Sequence, residues 1–262
     1  MTLSSAQRER VGSLLRRAEQ DTQPIAPLSQ TFQGLDLADA YAIQRHNIAR
    51  RLVDGSRVVG HKVGLTAAAM QQLLGVDEPD FGHLLDDMVR HDRDVVAASA
   101  LCAPRIEPEI CFRLGAQLRG PGITAQDVLA ATEAVAPALE IVDSRIRDWD
   151  ITLADTVADN ASSAGLVHGP WTALEDAPDL AGISVDLLID GEVTARGTGA
   201  EVLGHPAAAV AWLANTLASF DAALEPGQLV LPGAMTTAPF VHAGHKVEAL
   251  FAGLGSVSVT FS

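Results

Sequence analysis

The chain has 262 residues, 48% of them hydrophobic and 19% charged, with 18 basic residues against 33 acidic ones for a formal net charge of −15. That composition is globular rather than disordered or fibrous, and the length allows one large domain or two small ones. A surface this negative repels phosphate backbones, and an aromatic share of 4% leaves few stacking platforms, so the expectation is no nucleic-acid partner.

Residues Ser5 to Gln20 carry Val11, Leu14 and Leu15 at helical spacing and predict a short amphipathic helix, followed by the proline-containing linker DTQPIAPLSQ. Neither this N-terminus nor any later run has the apolar length of a signal peptide or a membrane span, which predicts a cytoplasmic protein with no membrane partner. A second helix is expected from Asp36 to Val53, stopped at Gly55. RVVGHKVGL then reads as a strand whose two glycines suggest a close backbone approach. Thr66 can cap a helix over AAAMQQLL, and VDEPDFG reads as a turn.

From Arg105 to Leu114 the pattern alternates, with Ile106, Ile110, Phe112 and Leu114 on one side and Arg105, Glu107, Glu109, Cys111 and Arg113 on the other. Pro108 argues for an edge or irregular strand. GPGITAQDVLAATEA reads as a turn and a helix with Thr124 as N-cap and Asp127 at N3. PALEIVDSR reads as a strand, DNASSAG as a loop, and ISVDLLIDGEVTARG as a hairpin centred on Asp190-Gly191. HPAAAVAWLANTLASF is a helix with Pro206 in its first turn, and QLVLPG, HKVEALF and SVSVTF are three closing strands. The fold class is α+β, a single domain over 1–262 with a mainly helical part at 1–55 and a β-rich part at 56–262.

Glu107 and Glu109 leave the same face of a strand, and two adjacent anions need a cation between them or a shared proton. The spacing alone favours an exposed face paired to Arg105 and Arg113 over a metal site. Glu140, between Leu139 and Ile141, needs a partner only if it points inward, and alternation does not say whether it does. Three carboxylates with waters would suit Mg²⁺ or Mn²⁺ better than zinc, because no HxxxH or CxxC spacing is present. Lys62 is one of only two lysines. On an apolar strand it can serve as an acid/base group or bind a carboxylate, or it can be an ion-paired structural residue. His61, its neighbour, should face the other way. There is no GxSxG and no GxGxxG. Cys102 and Cys111 are expected to be reduced thiols without catalytic duty.

GHKVGLT, VDEPDFGHLLDDM, PRIEPEI, PALEIVDSRIRDW and ADNASSAG follow one another here as they do in the 2-oxopent-4-enoate hydratase/4-oxalocrotonate decarboxylase family of the fumarylacetoacetate hydrolase superfamily, which the chain resembles from about Asp36 to its end. The resemblance implies a twisted mixed β-sheet roll with flanking helices. It also implies metal ligands at Glu107, Glu109 and Glu140, catalytic roles for Lys62 and Asp80, and substrate binding by Ser162, with Mg²⁺ or Mn²⁺ as cofactor. The implied reaction is hydration of 2-hydroxypenta-2,4-dienoate to 4-hydroxy-2-oxopentanoate by a homo-oligomer that can associate with a pathway decarboxylase or aldolase. Asp80 favours the hydratase branch, since an aliphatic residue is expected there in decarboxylases. The loop LPGAMTTAPF lacks the arginine many hydratases carry. The alternatives are decarboxylation of 2-oxohex-3-enedioate, and a catalytically silent stabilising subunit of a hydratase/decarboxylase complex.

Overall fold

The computed structural model describes the chain except residues 1, 68–70 and 73–74, so most of the helix expected over AAAMQQLL lies outside the described residues. Three helices open the chain, α1 (Ser5–Asp21), the single turn α2 (Leu28–Thr31) and α3 (Leu37–Val53). Ser4 caps α1 in a capping box with Gln7, and the Asp36 carboxylate caps α3 by accepting from Asp39 N. The expected linker is not free. It holds α2, and Ile25 bridges to Ile146.

Thirteen strands follow among the described residues. They are β1 (Val58–Gly64), β2 (Asp80–Leu85), β3 (Val89–His91), β4 (Val95–Val96), β5 (Pro104–Leu114), β6 (Thr132–Asp143) and β7 (Ser163–His168), then β8 (Thr172–Ala173), β9 (Ser184–Ile189), β10 (Glu192–Thr198), β11 (Leu229–Leu231), β12 (Lys246–Phe251) and β13 (Gly255–Phe261). They form a mixed sheet in the order β2-β1-β11-β5-β6-β7-β3, with β8 beside β6, and a second sheet in the order β10-β9-β12-β13-β4. One apolar core joins α1 and α3 to both sheets, including Leu15, Ile43, Ile106, Leu139, Leu187 and Val259. With few aromatics available, its bulk is aliphatic, and Phe81, Phe112 and Phe261 are its most deeply buried aromatics.

Three local expectations change. VDEPDFG is a turn only up to Pro79, because Asp80 already pairs with Gly64 as the first residue of β2. The helix after Thr124 ends at Ala131 rather than running through TEA, and Thr132 enters β6. The long antiparallel ladder between β5 and β6, from Pro104↔Asp143 to Leu114↔Thr132, outweighs the helical preference of Ala134. Pro108 is not on an edge strand. β6 pairs along one side of it, and on its other side its carbonyl accepts from Met235 N at 3.0 Å, where no ladder bond needs the missing N–H. The Asp190-Gly191 hairpin stands as expected, with φ of 53° and 84° at its two turn residues.

Candidate active site

Alternation on β5 sends Glu107 and Glu109 to one face of the large sheet, and the register sets Glu140 of β6 directly opposite Glu107. One carboxylate oxygen from each of Glu107, Glu109 and Glu140 lies within 4.8 Å of the other two. On β1 the same face carries Lys62, whose Nζ lies 3.5 Å from Glu140 Oε2 and donates to the Ala161 carbonyl at 3.0 Å. Antiparallel pairing of β1 and β2 brings Asp80 opposite Gly64, two residues from Lys62. The close approach implied by the glycines of β1 is real. A Cβ at Gly60 would lie 1.9 Å from the Leu229 carbonyl oxygen, and one at Gly64 2.2 Å from Asp80 Oδ1.

Ser162 arrives from the Asn160–Ser162 turn, in which three successive non-glycine residues have φ of 56°, 51° and 56°. Each costs about 1–2 kcal/mol in the left-handed region. Two anchors hold the turn in place. The Asn160 amide exchanges two hydrogen bonds with the His83 backbone, at 2.8 and 2.9 Å, and Arg145 pairs with Asp159 at 2.7 Å. The strained turn aims the Ala161 carbonyl at Lys62 and sets Ser162 Oγ 3.3 Å from Thr156 Oγ1. The six residues singled out in the sequence therefore converge.

They meet at a cavity of about 670 Å³. Lys62, Asp80, Glu107 and Ser162 line it, while Glu109 and Glu140 are fully buried beside it. Among the further lining residues not singled out as site residues are Arg105, Trp149, Thr156, Arg196 and Glu201. Arg105 was legible in principle, because it shares the alternation phase of Glu107. Trp149, Thr156 and Arg196 reach the cavity only through tertiary packing and had no local signal. The backbone of Gly233 also contributes, donating its N–H to Glu109 Oε2 at 2.7 Å. Cys111 lies on the same face beyond Glu109, but it sits among Leu84, Ala138, Leu166 and Leu231, and burial pushes its thiol up.

Asp80, Glu107, Glu109 and Glu140 together with Lys62 would carry a net charge of −3 if all were ionised. Burial raises the pKa of each carboxyl group. Glu109 is pushed well above the usual range, with Glu140 and Glu107 adding repulsion, and Glu140 is raised to about 7 despite the attraction of Lys62. Glu107 and Asp80 move the same way, also held back by Lys62. For Lys62, burial favours the neutral form, but Glu140, Asp80, Glu107 and Glu109 outweigh it and keep the ammonium charged. Glu109 Oε1, Glu140 Oε1 and Asp80 Oδ1 have no hydrogen-bond partner, and Glu140 Oε2 has only the Lys62 ammonium at 3.5 Å. Buried, mutually facing, unpartnered carboxylate oxygens are the donor set that a hard divalent cation satisfies.

On the opposite face of β1 and β2, His61 and His83 face each other with ring centroids 4.9 Å apart. Burial pushes His83 down to about 4 and His61 well below its usual value. A histidine with a folded pKa below its unfolded value stabilises the fold above about pH 6.5, and that contribution is lost as pH falls toward 4. For His83 the limit is about 3 kcal/mol, an upper bound because part of the residue remains exposed. The carboxyl cluster has the opposite sign, so the measurement is a difference. Denaturant unfolding of His83→Gln and wild type from pH 7 to 4 should show the variant gaining on wild type as pH falls. Parallel curves would contradict the account.

A family model for the fumarylacetoacetate (FAA) hydrolase C-terminal region matches residues 62–262. The chain is 45% identical over 259 residues to a 2-keto-4-pentenoate hydratase of Paraburkholderia xenovorans (strain LB400), covering 99% of this chain and 96% of that protein. It is 41% identical over 256 residues to a 2-hydroxyhexa-2,4-dienoate hydratase of Comamonas testosteroni, covering 97% of each. Among solved structures, a 4-oxalocrotonate decarboxylase from Pseudomonas putida G7, complexed with magnesium and adipate, superposes with a TM-score of 0.96 at 36% identity over 99% of both chains.

Proposed function

The chain belongs to the fumarylacetoacetate (FAA) hydrolase C-terminal family, and from that premise we propose that it is a metal-dependent hydro-lyase. It hydrates 2-hydroxypenta-2,4-dienoate (2-oxopent-4-enoate) to 4-hydroxy-2-oxopentanoate in the meta-cleavage degradation of aromatic compounds or steroids. The observation that carries this reading is the meeting of Glu107, Glu109 and Glu140 at one cavity, with Glu109 Oε1 and Glu140 Oε1 left without a protein donor. The hydratase names of relatives 45% and 41% identical support the choice of reaction. So does Asp80 in the position where the decarboxylase branch is expected to have an aliphatic residue.

Glu107, Glu109 and Glu140 would hold Mg²⁺ or Mn²⁺, which would supply Lewis-acid polarisation of the substrate's 2-oxygen. Asp80, buried and unpartnered at Oδ1, accepts the proton that leaves the 2-hydroxyl. Lys62, kept protonated by its carboxylate neighbours, delivers a proton to C5, which leaves a C3=C4 double bond conjugated to the 2-carbonyl. Water then adds its oxygen at C4 and gives up a proton to the neutral Lys62 amine, the electron pair moves toward the carbonyl oxygen, and C3 takes the proton held by Asp80, which restores both groups. Ser162, set by its strained turn, hydrogen-bonds the substrate, and the apolar side chains of Trp149, Ile151 and Met235 limit the water at the reacting carbons.

Residues 1–262 act in this reading as one catalytic domain, with 1–55 as helical support, an assignment favoured by the core that α1 and α3 share with the sheets. No helix among the described residues is long and apolar enough to cross a membrane. The proposal includes a cytoplasmic homo-oligomer able to associate with a pathway decarboxylase or aldolase.

The test is turnover by purified protein with Mg²⁺. Consumption of 2-hydroxypenta-2,4-dienoate, formation of the 4-hydroxy-2-oxo acid and no CO₂ release are expected. The second reading, decarboxylation of 2-oxohex-3-enedioate, is favoured by the structural likeness to a decarboxylase. CO₂ release from that diacid without hydration of the dienoate would establish it instead.

A further inference from the structure

Three cations line the cavity, and two are already engaged. Lys62 is held between Glu140 and the Ala161 carbonyl, and Arg196 pairs with Asp186 at 3.2 Å on a largely exposed side chain. Arg105 has no carboxylate within 4.0 Å among the described residues, and its Nε is buried without a hydrogen-bond partner. The undescribed positions 68–70 and 73–74 are alanine, methionine and leucine, so they bring no carboxylate.

The side chain is nevertheless held in place. Its guanidinium carbon lies 4.7 Å from the Trp149 ring centroid and 4.1 Å from that of Phe240. The indole is pinned in turn by its N–H, which donates to the Ala103 carbonyl at 2.9 Å, and the Arg105 backbone bridges to Phe240. Contact with aromatic faces uses none of the guanidinium's N–H donors. The result is a positioned, charged donor group at a cavity wall with its hydrogen-bonding capacity unspent. It stands one alternation from Glu107 on the same strand face, a step of about 6.5–7 Å.

We propose that Arg105 is the residue that grips the C1 carboxylate of the substrate. This rests on the reading of the site as one for 2-hydroxy-dienoates and 2-oxo acids. An anionic substrate approaching a cluster of buried carboxyl groups needs a compensating cation, and a planar guanidinium fits a planar carboxylate with two parallel N–H···O bonds. The assignment also releases Lys62 from substrate binding and leaves it to proton transfer.

The test measures binding of two unreactive probes, 2-oxopentanoate and its methyl ester, by calorimetry on Mg²⁺-loaded wild type and Arg105→Met, with Mg²⁺ affinity and thermal unfolding recorded for each protein. The variant should bind the acid about 10–100-fold more weakly, the range lost with one charge-assisted hydrogen-bonding group. Its affinity for the ester and for Mg²⁺ should change less than about threefold, given that about 1.4 kcal/mol is tenfold. Acid affinity within threefold of wild type, or an equal loss for acid and ester, would overturn the proposal. If Arg105→Met does not fold, Arg105→Lys carries the same comparison. It keeps the charge but not the fork, so it should lose acid affinity selectively, and unchanged acid binding would overturn the proposal. These probes are not turned over. A wild type that binds the acid through Arg105 yet fails to hydrate the dienoate would sink the hydratase reading and leave this one standing.

Discussion

Glu109→Gln is expected to lower Mg²⁺-dependent turnover about 10²–10³-fold, the scale of the several kcal/mol a Lewis-acid cation contributes. The metal-free protein should stay as stable as wild type or become more so. Glu109 is fully buried, accepts one hydrogen bond from Gly233 N, and has its other oxygen unpartnered against Glu107 and Glu140. Glutamine preserves the shape and the bond to Gly233 while removing one of three mutually repelling carboxyl groups. The second readout is thermal. A ligand at about 100 times its Kd stabilises the folded state by about 2.7 kcal/mol, so Mg²⁺ should raise the wild-type melting temperature and leave the variant's nearly unmoved. Equal Mg²⁺ stabilisation of both proteins would show that Glu109 is not a ligand.

Asp80→Asn should reduce turnover about 10²–10⁴-fold, the range for one positioned proton-transfer group, while Mg²⁺ still raises the melting temperature. Asp80 is buried on the site face of β2, Lys62 draws it toward ionisation, and asparagine fits the same space without accepting a proton. Lys62→Met should also impair the reaction, with loss in kcat rather than in affinity for the acid probe, because Arg105 carries the carboxylate. Asp80→Asn within a few-fold of wild type would reduce Asp80 to scaffolding.

The reach of the sequence differs from residue to residue, for physical reasons. Period-two spacing is local, so the common face of Glu107 and Glu109 followed from β5 alone, and the opposite orientation of His61 and Lys62 followed from β1. The same local information favoured an exposed face paired to Arg105 and Arg113. In the structure Arg113 pairs instead with Glu133 at 3.2 Å, and Arg105 lies over two aromatic rings. Nothing within a few residues of Glu107 specifies that Glu140 will stand across from it, because that depends on the register between β5 and β6.

Sequence by itself determined the α+β class, most of the helices and strands, the hairpin at Asp190-Gly191 and, through ordered motifs, the family. All but the family, which rests on the resemblance of those motifs, are properties of backbone preference and side-chain period, which act over a few residues. Tertiary structure alone decided that Asp80 opens a strand beside Lys62 and that Thr132 leaves the helix for β6. It also decided that Asn160, Ala161 and Ser162 hold left-handed conformations to aim a carbonyl at Lys62, and that Trp149 and Phe240 immobilise Arg105. Each of these goes against or beyond a local preference. Each persists because pairing and burial across distant segments contribute more than the one or two kcal/mol the local preference is worth, about the cost of one left-handed residue.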